Sequence, residues 1–341
     1  MPTVPPPALA VVIGRWQIYH RGHASLLDRA LAVAPRVAVV IGSALRSRDT
    51  RHPFTWQERR QMIEATLSDA QRARVAFVPV RDYYDDRRWN AAVRDAVTAD
   101  LAHGSPIALV GHAKDASSHY LDQFADWRRE SVEPQTDIDA AALRRAYFGA
   151  VELEPALAVM EPYLEPAVLH QLRAWACLPA YARLAAEQRF LDRYRQRWTA
   201  PWYLTADVVA EVDGHVLLIR RGGEFGHGLW ALPGGFVDTG ERLQAAAVRE
   251  LAEETGWRPL PGTLAAAFQG SAVFDHPLRS PRGRLVTQAF HFDFGRIAQP
   301  EVRGADDAKE ARWIAKADLP ALEHQLFEDH ATILDHFVGL F

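Results

Sequence analysis

Cysteine is almost absent: Cys177 stands alone in 341 residues. A lone thiol excludes an internal disulfide and a cysteine-built metal site, and on a helical stretch it reads as a small buried hydrophobe. No apolar run is long enough to span a bilayer. The opening residues MPTVPPPALA lack the basic and apolar segments of a secretory leader. Residues 1–7 are therefore expected to form a short disordered tail, and the protein to be cytoplasmic. Neither sign of charge dominates. A net charge of −4 argues against broad nucleic-acid binding and leaves room for local basic pockets. There is no internal repeat and no low-complexity tract beyond the first residues. What is present is ordinary globular composition, 48% hydrophobic and 24% charged, at a length that favours two domains.

The densest chemical signal lies in the second half. Gly235 is followed after five residues by Glu241, and after seven more by Arg249-Glu250-Leu251-Ala252-Glu253-Glu254-Thr255-Gly256-Trp257. Asp238-Thr239-Gly240-Glu241 has the form of a capping box opening a helix, and Gly256 stands where a helix stop belongs. On that helix Glu250, Glu253 and Glu254 fall at i, i+3 and i+4, so three carboxylates share one face. Leu243, Ala247 and Leu251 line a different stripe, suited to the core. Clustered carboxylates repel one another unless a hard cation such as Mg2+ or Mn2+ neutralises them, and that cation keeps positions for phosphate oxygens and water. A solvated acidic helix with Arg249 as internal ion-pair partner explains neither the glycine pair nor the fixed spacing.

The segment fills every fixed position of G-x5-E-x7-R-E-U-x-E-E-x-G-U, where U is bulky and apolar and Trp257 is the loosest fit. It resembles the box of the Nudix hydrolase family. The resemblance implies metal-dependent cleavage of a nucleoside diphosphate linked to another group, with Glu250, Glu253 and Glu254 as metal ligands. Arg249, Glu253 and Glu254 are also candidate catalytic residues, Arg249 orienting the glutamates through its planar fork. Downstream, Arg279, Arg282 and Arg284 sit in a turn-rich loop before a strand expected at residues 285–294. They suit a phosphate or ribose clamp, or equally a solvated loop. Their setting resembles the DHPxRSxRGR segment of Nudix domains fused to NMN adenylyltransferases. In the following DDAKEARW stretch, Glu310 is a candidate fourth acid or general base.

The N-terminal half alternates differently. Residues 8–13 read as a buried strand running into Gly14-Arg15-Trp16-Gln17-Ile18-Tyr19-His20-Arg21-Gly22-His23, and a helix follows through Leu26, Leu27, Ala30 and Leu31. Strand, glycine turn and helix together aim backbone N–H groups at phosphate. His20 and His23 straddle the helix start, where first-turn amides lack partners, and Gly22 permits close approach. Taken alone, His-x-Gly-His also fits a capped turn or an incomplete metal site. A second strand at 37–41 leads into a basic loop carrying Arg46, Arg48 and Arg51, and Thr55-Trp56-Gln57-Glu58 is another capping box. Strands at 75–80 and 107–110, with helices at 90–101 and 117–128, complete a parallel sheet wrapped by helices, its sites at the strand carboxyl ends.

GRWQIYHRGH resembles the GRFQPFHxGH signature of nucleotidyltransferases, and of NMN adenylyltransferases in particular, with Ile18-Tyr19 replacing Pro-Phe. The resemblance implies that His20 and His23 are catalytic and that Gly14, Arg15 and Arg51 contact substrate. Asp82 and Trp89 would hold the nicotinamide end, although Trp89 fits a core position equally. Lys114 lies in a loop expected to face ligand. The family's phosphate motif, of S/A-T-x-I-R type, aligns with Ala140-Ala141-Ala142-Leu143-Arg144, where Ala141 replaces the hydroxyl residue and Arg144 remains.

Residues 152–197 read as helices interrupted by Pro162, Pro166 and Pro179, and Asp213-Gly214 signals a hairpin. The order of the two modules resembles the bifunctional NMN adenylyltransferase/Nudix hydrolase proteins. Two α/β domains are expected. A Rossmann-like nucleotidyltransferase domain with a parallel sheet would occupy 8–180, with a helical linker at 181–200. A Nudix α/β/α sandwich with a mixed sheet would occupy 201–341. The implied ligands are ATP, NMN and ADP-ribose; nucleic acid and membrane are not expected as partners, and a homo-oligomer is left open. Another acceptor, another nucleoside diphosphate, or ligand sensing without catalysis are the alternatives.

Overall fold

The computed structural model describes residues 5–83, 85–99, 104–112, 123–133, 139–197 and 202–340. Two compact units divide the chain at Ala185/Ala186. In the first, β1 (Leu9–Gly14), α1 (Arg21–Val33), β2 (Arg36–Ile41), α2 (Trp56–Glu64), the short α3 (Asp69–Arg72) and β3 (Val75–Pro79) alternate. They are followed by α4 (Asp86–Thr98), β4 (Ile107–Gly111), β5 (Arg128–Ser131), α5 (Ala140–Gly149), α6 (Leu153–Met160) and α7 (Pro166–Trp175). The five strands run parallel in the order β3-β2-β1-β4-β5. Alternation places Ala10 and Val12 against α1 and Leu9, Val11 and Ile13 against α4, so both sheet faces are covered. The chain winds one way through β2 and β3 and returns to the other side of β1 at β4. The crevice outside the carboxyl ends of β1 and β4 is thus the switch point where open α/β sheets take ligands.

A long helix, α8 (Pro179–Arg197), covers most of the stretch expected as a linker. The second unit then holds β6 (Trp202–Val212), β7 (His215–Arg221), β8 (Trp230–Ala231), β9 (Gly234–Phe236), α9 (Leu243–Thr255), α10 (Pro261–Ala267), β10 (Phe268–Phe274), β11 (Arg284–Asp293), β12 (Ala308–Ala315), the short α11 (Leu319–Leu322) and α12 (His330–Val338). Its sheet runs β10-β11-β6-β7-β12, with β6 and β11 parallel and the other neighbours antiparallel. Ala206, Val208 and Ala210 pack against α9 through Ala246, Ala247 and Leu251, whereas Val209, Val216 and Leu218 meet Ile333 and Leu334 of α12. Helices therefore cover both faces of a mixed sheet. The β6–β7 hairpin turns at Asp213 and Gly214, both with positive φ.

Several sequence expectations need correction. The helix expected at 117–128 falls partly on residues outside the described set, and at Arg128 the chain instead enters β5. Arg-Arg-Glu-Ser carries no apolar alternation, so periodicity could not reveal it, and charge is what an edge strand tolerates. Helix α4 starts earlier than expected, at Asp86, because Asp85 caps it through Arg88 N–H. Asp238 does not open the box helix. It forms a turn with Glu241, closed by Glu241 N–H on the Asp238 carbonyl, with Gly240 at φ +86°, and α9 begins only at Leu243. Cys177 is exposed rather than buried, since it follows the last turn of α7 instead of facing the core. Of the expected tail, residues 1–4 lie outside the described set. Among the described residues, no helix is long and apolar enough to cross a membrane.

Candidate functional sites

In unit 1, β1 ends at Gly14 because the chain folds back there: a Cβ on Gly14 would lie 3.0 Å from the Trp16 ring. Trp16 is buried at φ +57°, its indole donating to the Val40 carbonyl at 2.8 Å. Gln17 then locks the turn to the Pro53-Phe54 loop by a reciprocal pair, Nε2 to the Phe54 carbonyl and Phe54 N–H to Oε1, both at 3.0 Å. His20 is the N-cap of α1, in extended backbone, and its carbonyl accepts from His23 and Ala24. The His20 and His23 rings stack with centroids 3.8 Å apart, at the start of the helix. Arg144, on α5, reaches the same turn and donates to the Gln17 carbonyl. Burial pushes its guanidinium down to about 10, so it stays charged at neutral pH. Asp139 caps α5 through Ala141 N–H at 2.8 Å.

The loop after β2 sorts its arginines. Arg48 is committed to Glu58 and the Pro53 carbonyl. Arg46 lies between Asp49 (3.9 Å) and Asp82 (3.7 Å). Arg51 donates its backbone N–H to Asp49, which also binds the buried His52. Burial works to raise the Asp49 carboxyl, but His52 and Arg46 hold it below the ordinary range. Asp82 is partly exposed and accepts the Ser43 hydroxyl on both oxygens; desolvation works to raise its carboxyl, but Arg46 and His52 hold it low as well. Trp89 is half-buried and meets Phe124 edge-on at 6.2 Å, so part of its surface is spent on the core. Lys114 lies outside the described residues. Arg15 is exposed at the end of β1, and its carbonyl accepts from Arg59. Arg59 was missed by sequence reading: a charged residue inside a capped helix carries no signal of its burial.

In unit 2 a cavity of about 240 Å³ gathers the box. Glu254 is buried and accepts the Gly234 N–H at 2.9 Å. Burial pushes its carboxyl up to about 8, against that hydrogen bond, with the charge of Glu250 adding to the rise. Burial raises Glu250 too, although Arg249 opposes it. The glycine pair now has a steric reason. A Cβ on Gly235 would lie 2.3 Å from the Glu250 carboxylate, and one on Gly234 would lie 2.2 Å from Asp207. Arg249 binds Glu241 twice, Glu250 at 2.8 Å, Glu253 at 2.9 Å and the Phe236 carbonyl. Glu253 is thereby drawn to the exposed side of α9 and does not line the cavity. Among the described residues, no three carboxylate or imidazole groups converge closely enough to cage an ion.

The downstream arginines separate likewise. Arg279 is buried in a bidentate pair with Asp329, at 2.9 and 2.8 Å, and Arg282 pairs with Glu328 at 3.2 Å; both line the cavity. Arg284 turns instead to Asp275. Glu310 pairs with Arg312 and Arg220 and is not part of the lining, whereas Asp306 and Asp307 are. Sequence reading missed Asp207, Arg221 and His330 in this wall. Asp207 could have been found as one of two acids, with Glu211, that break an apolar strand run. Burial pushes it up to about 6, against Arg279 and the Thr287 hydroxyl, which donates at 2.6 Å. His330 accepts the Leu232 N–H, and burial pushes it down to about 3, so it is neutral.

Two family profiles match the chain, cytidylyltransferase-like over residues 11–118 and NUDIX domain over 201–337. A nicotinamide/nicotinic acid mononucleotide adenylyltransferase of Acinetobacter baylyi is 35% identical over 147 residues, 43% of this chain and 78% of that protein. An ADP-ribose pyrophosphatase of Methanocaldococcus jannaschii is 34% identical over 158 residues, 46% of this chain and 85% of that protein. The likeness to solved structures runs nearly end to end. One is a bifunctional NMN adenylyltransferase/ADP ribose pyrophosphatase of Francisella tularensis in complex with AMP and a manganese ion, 30% identical with a TM-score of 0.89, covering 98% of this chain and 99% of that one. With both motif sets in their expected units and the match running the whole length, the chain belongs to the family of bifunctional NMN adenylyltransferase/ADP-ribose pyrophosphatases.

Proposed function

We propose that unit 1 joins NMN and ATP into NAD and pyrophosphate, and that unit 2 hydrolyses ADP-ribose to AMP and ribose 5-phosphate. The observation that best supports this reading is the co-occurrence of both motif sets in one chain that aligns end to end with the Francisella protein bearing both names.

In unit 1 the NMN phosphate is already a competent nucleophile, so no base is required. His20, His23 and the first-turn amides of α1 collect charge as pyrophosphate departs, with Arg15, Arg51 and Arg144 as cations and Lys114 as a further substrate contact. Gly14 keeps that turn open, and Asp82 and Trp89 take the nicotinamide end.

In unit 2 the donor chemistry suits Mg2+ or Mn2+. Glu250 and Glu254 offer hard oxygens, burial raises both carboxyls, and a cation would relieve that cost. These two would hold the ion, with Glu253 as the third carboxylate of the box. The ion, when bound, supplies charge neutralisation and a water of lowered pKa. Arg249 steadies the glutamates, while Arg279 and Arg282 face the diphosphate, each backed by its own carboxylate. Glu310, turned to Arg220 and Arg312 and outside the cavity lining, is a weaker candidate for the base than the acids that line it.

The test is to incubate the purified chain with MgCl2 and either ATP plus NMN or ADP-ribose, resolving products by ion-exchange chromatography. NAD should form in the first reaction and AMP in the second, and EDTA should stop hydrolysis. An inert wild type in either reaction overturns that half of the reading.

A further inference from the structure

One guanidinium ties together the ends of the first two strands of unit 1. Arg59 lies on α2 with 0% exposure. Its Nη1 donates to the carbonyls of Arg15 at 2.6 Å and Gly42 at 2.7 Å, Nη2 to Ser43 at 3.1 Å, and Nε to Thr55 at 3.2 Å. Those acceptors belong to the turn after β1, the turn after β2 and the N-cap of α2.

Two of these turns hold backbone that does not rest there by preference. Trp16, which directly follows Arg15, has φ +57°, and Ser43 has φ +50°. Residues with side chains keep such angles only where the surroundings over-determine them. Arg59 grips the carbonyl before Trp16 and the carbonyl of Ser43 itself. Ser43 in turn donates its hydroxyl to both oxygens of Asp82, at 2.9 and 2.7 Å. The backbone of Arg15 at the end of β1 and the carboxylate of Asp82 after β3 are therefore referenced to one buried cation.

We propose that Arg59 is a positioning residue for adenylyl transfer, its fork setting the backbone that carries Arg15 and that of Ser43, whose hydroxyl holds the Asp82 carboxylate, so that both groups meet the two substrates. The proposal rests on the reading of unit 1 as an adenylyltransferase site. Lysine is no substitute, because a single ammonium cannot reach carbonyls spread over three segments as the planar fork does.

The test uses the full chain with Arg59→Lys and Arg59→Gln. Steady-state kcat and KM for ATP and for NMN are measured well below the unfolding midpoint, with circular dichroism reporting that the variant is folded and ADP-ribose hydrolysis in the same preparation fixing the amount of working chain. The expected result is unchanged hydrolysis, a raised KM for both substrates, and kcat/KM for NAD formation lowered on the order of 100-fold, since small misplacements of binding groups have effects of that size. A merely structural arginine would lower the unfolding midpoint and leave kcat/KM at the wild-type value; that outcome overturns the proposal. If Arg59→Gln fails to fold, the lysine variant decides. A wild-type chain that makes no NAD would overturn the reading of unit 1 and the proposal with it. A competent wild type with an equally competent lysine variant overturns the proposal alone.

Discussion

Glu254 is the residue at which burial and chemistry meet most directly. Its carboxyl is held near 8 by desolvation while it caps the Gly234 amide, so at neutral pH it awaits a positive partner. Glu254→Gln keeps the size and an acceptor for that amide and removes the charge. We expect ADP-ribose hydrolysis to drop by about 100-fold or more, with the MgCl2 dependence weakened and NAD formation untouched. Near-wild-type hydrolysis with ordinary metal dependence would place the metal site elsewhere. His330 offers a different reading of the same wall. It is neutral in the fold and held near 3, whereas an unfolded histidine protonates near 6.5. Below 6.5 the unfolded chain therefore binds the extra proton. This contribution to stability is complete above about 6.5 and is lost as pH falls toward 3, with a slope approaching about 1.4 kcal/mol per pH unit. Urea unfolding between pH 5 and 7.5 should show the slope in the wild type and a flatter profile in His330→Asn. Identical profiles would mean that the imidazole does not govern this window.

At the scale of elements, legibility followed periodicity and capping. The register of α9, its stop at Gly256 (φ +70°) and the capping box of α2 were all readable, because each rests on local spacing. The five-stranded sheet was readable for its apolar strands and not for β5, whose four residues are three charges and a serine. Spacing also misled. Asp238 and Glu241 make one of the capping bonds, Asp238 N–H to the Glu241 carboxylate, yet Gly240 diverts the chain into a turn before the helix. Of the sites, the motif residues were legible and their counterparts on remote segments were not. Asp329 meets Arg279 across 50 positions, and no local pattern encodes that distance. The glycine pair was recognised as a signature, but its reason, the approach of Asp207 and Glu250, emerged only in three dimensions. Gly235→Ala follows from it. The obstacle is the far end of a flexible side chain, so the fold should survive with little change in unfolding midpoint. Glu250 must then swing out of its place, and hydrolysis should fall at least about tenfold. A variant with wild-type kcat would show that Glu250 has freedom to spare.

At the scale of the molecule, each unit has its own sheet, its own buried clusters and its own candidate site. Damage to one site should therefore leave the other working. His20→Ala or His23→Ala is expected to abolish NAD formation and leave ADP-ribose hydrolysis within about twofold, since mutations at sites that share no partners act nearly independently. Equal loss of both activities in a folded variant would contradict two separate sites.

The steric bargain at Gly235 also has a historical side. As long as Glu250 stays where it is, any side chain at position 235 collides with it, whereas once Glu250 has been shortened the position opens to drift. Substitutions here are thus coupled through function: while hydrolysis is under selection the glycine can drift only after the acid has gone, and restoring the acid against a filled position 235 would not return it to its place. A descendant with a side chain at 235 would record a chain in which fast cutting had ceased to be selected, even if the rest of its box were intact.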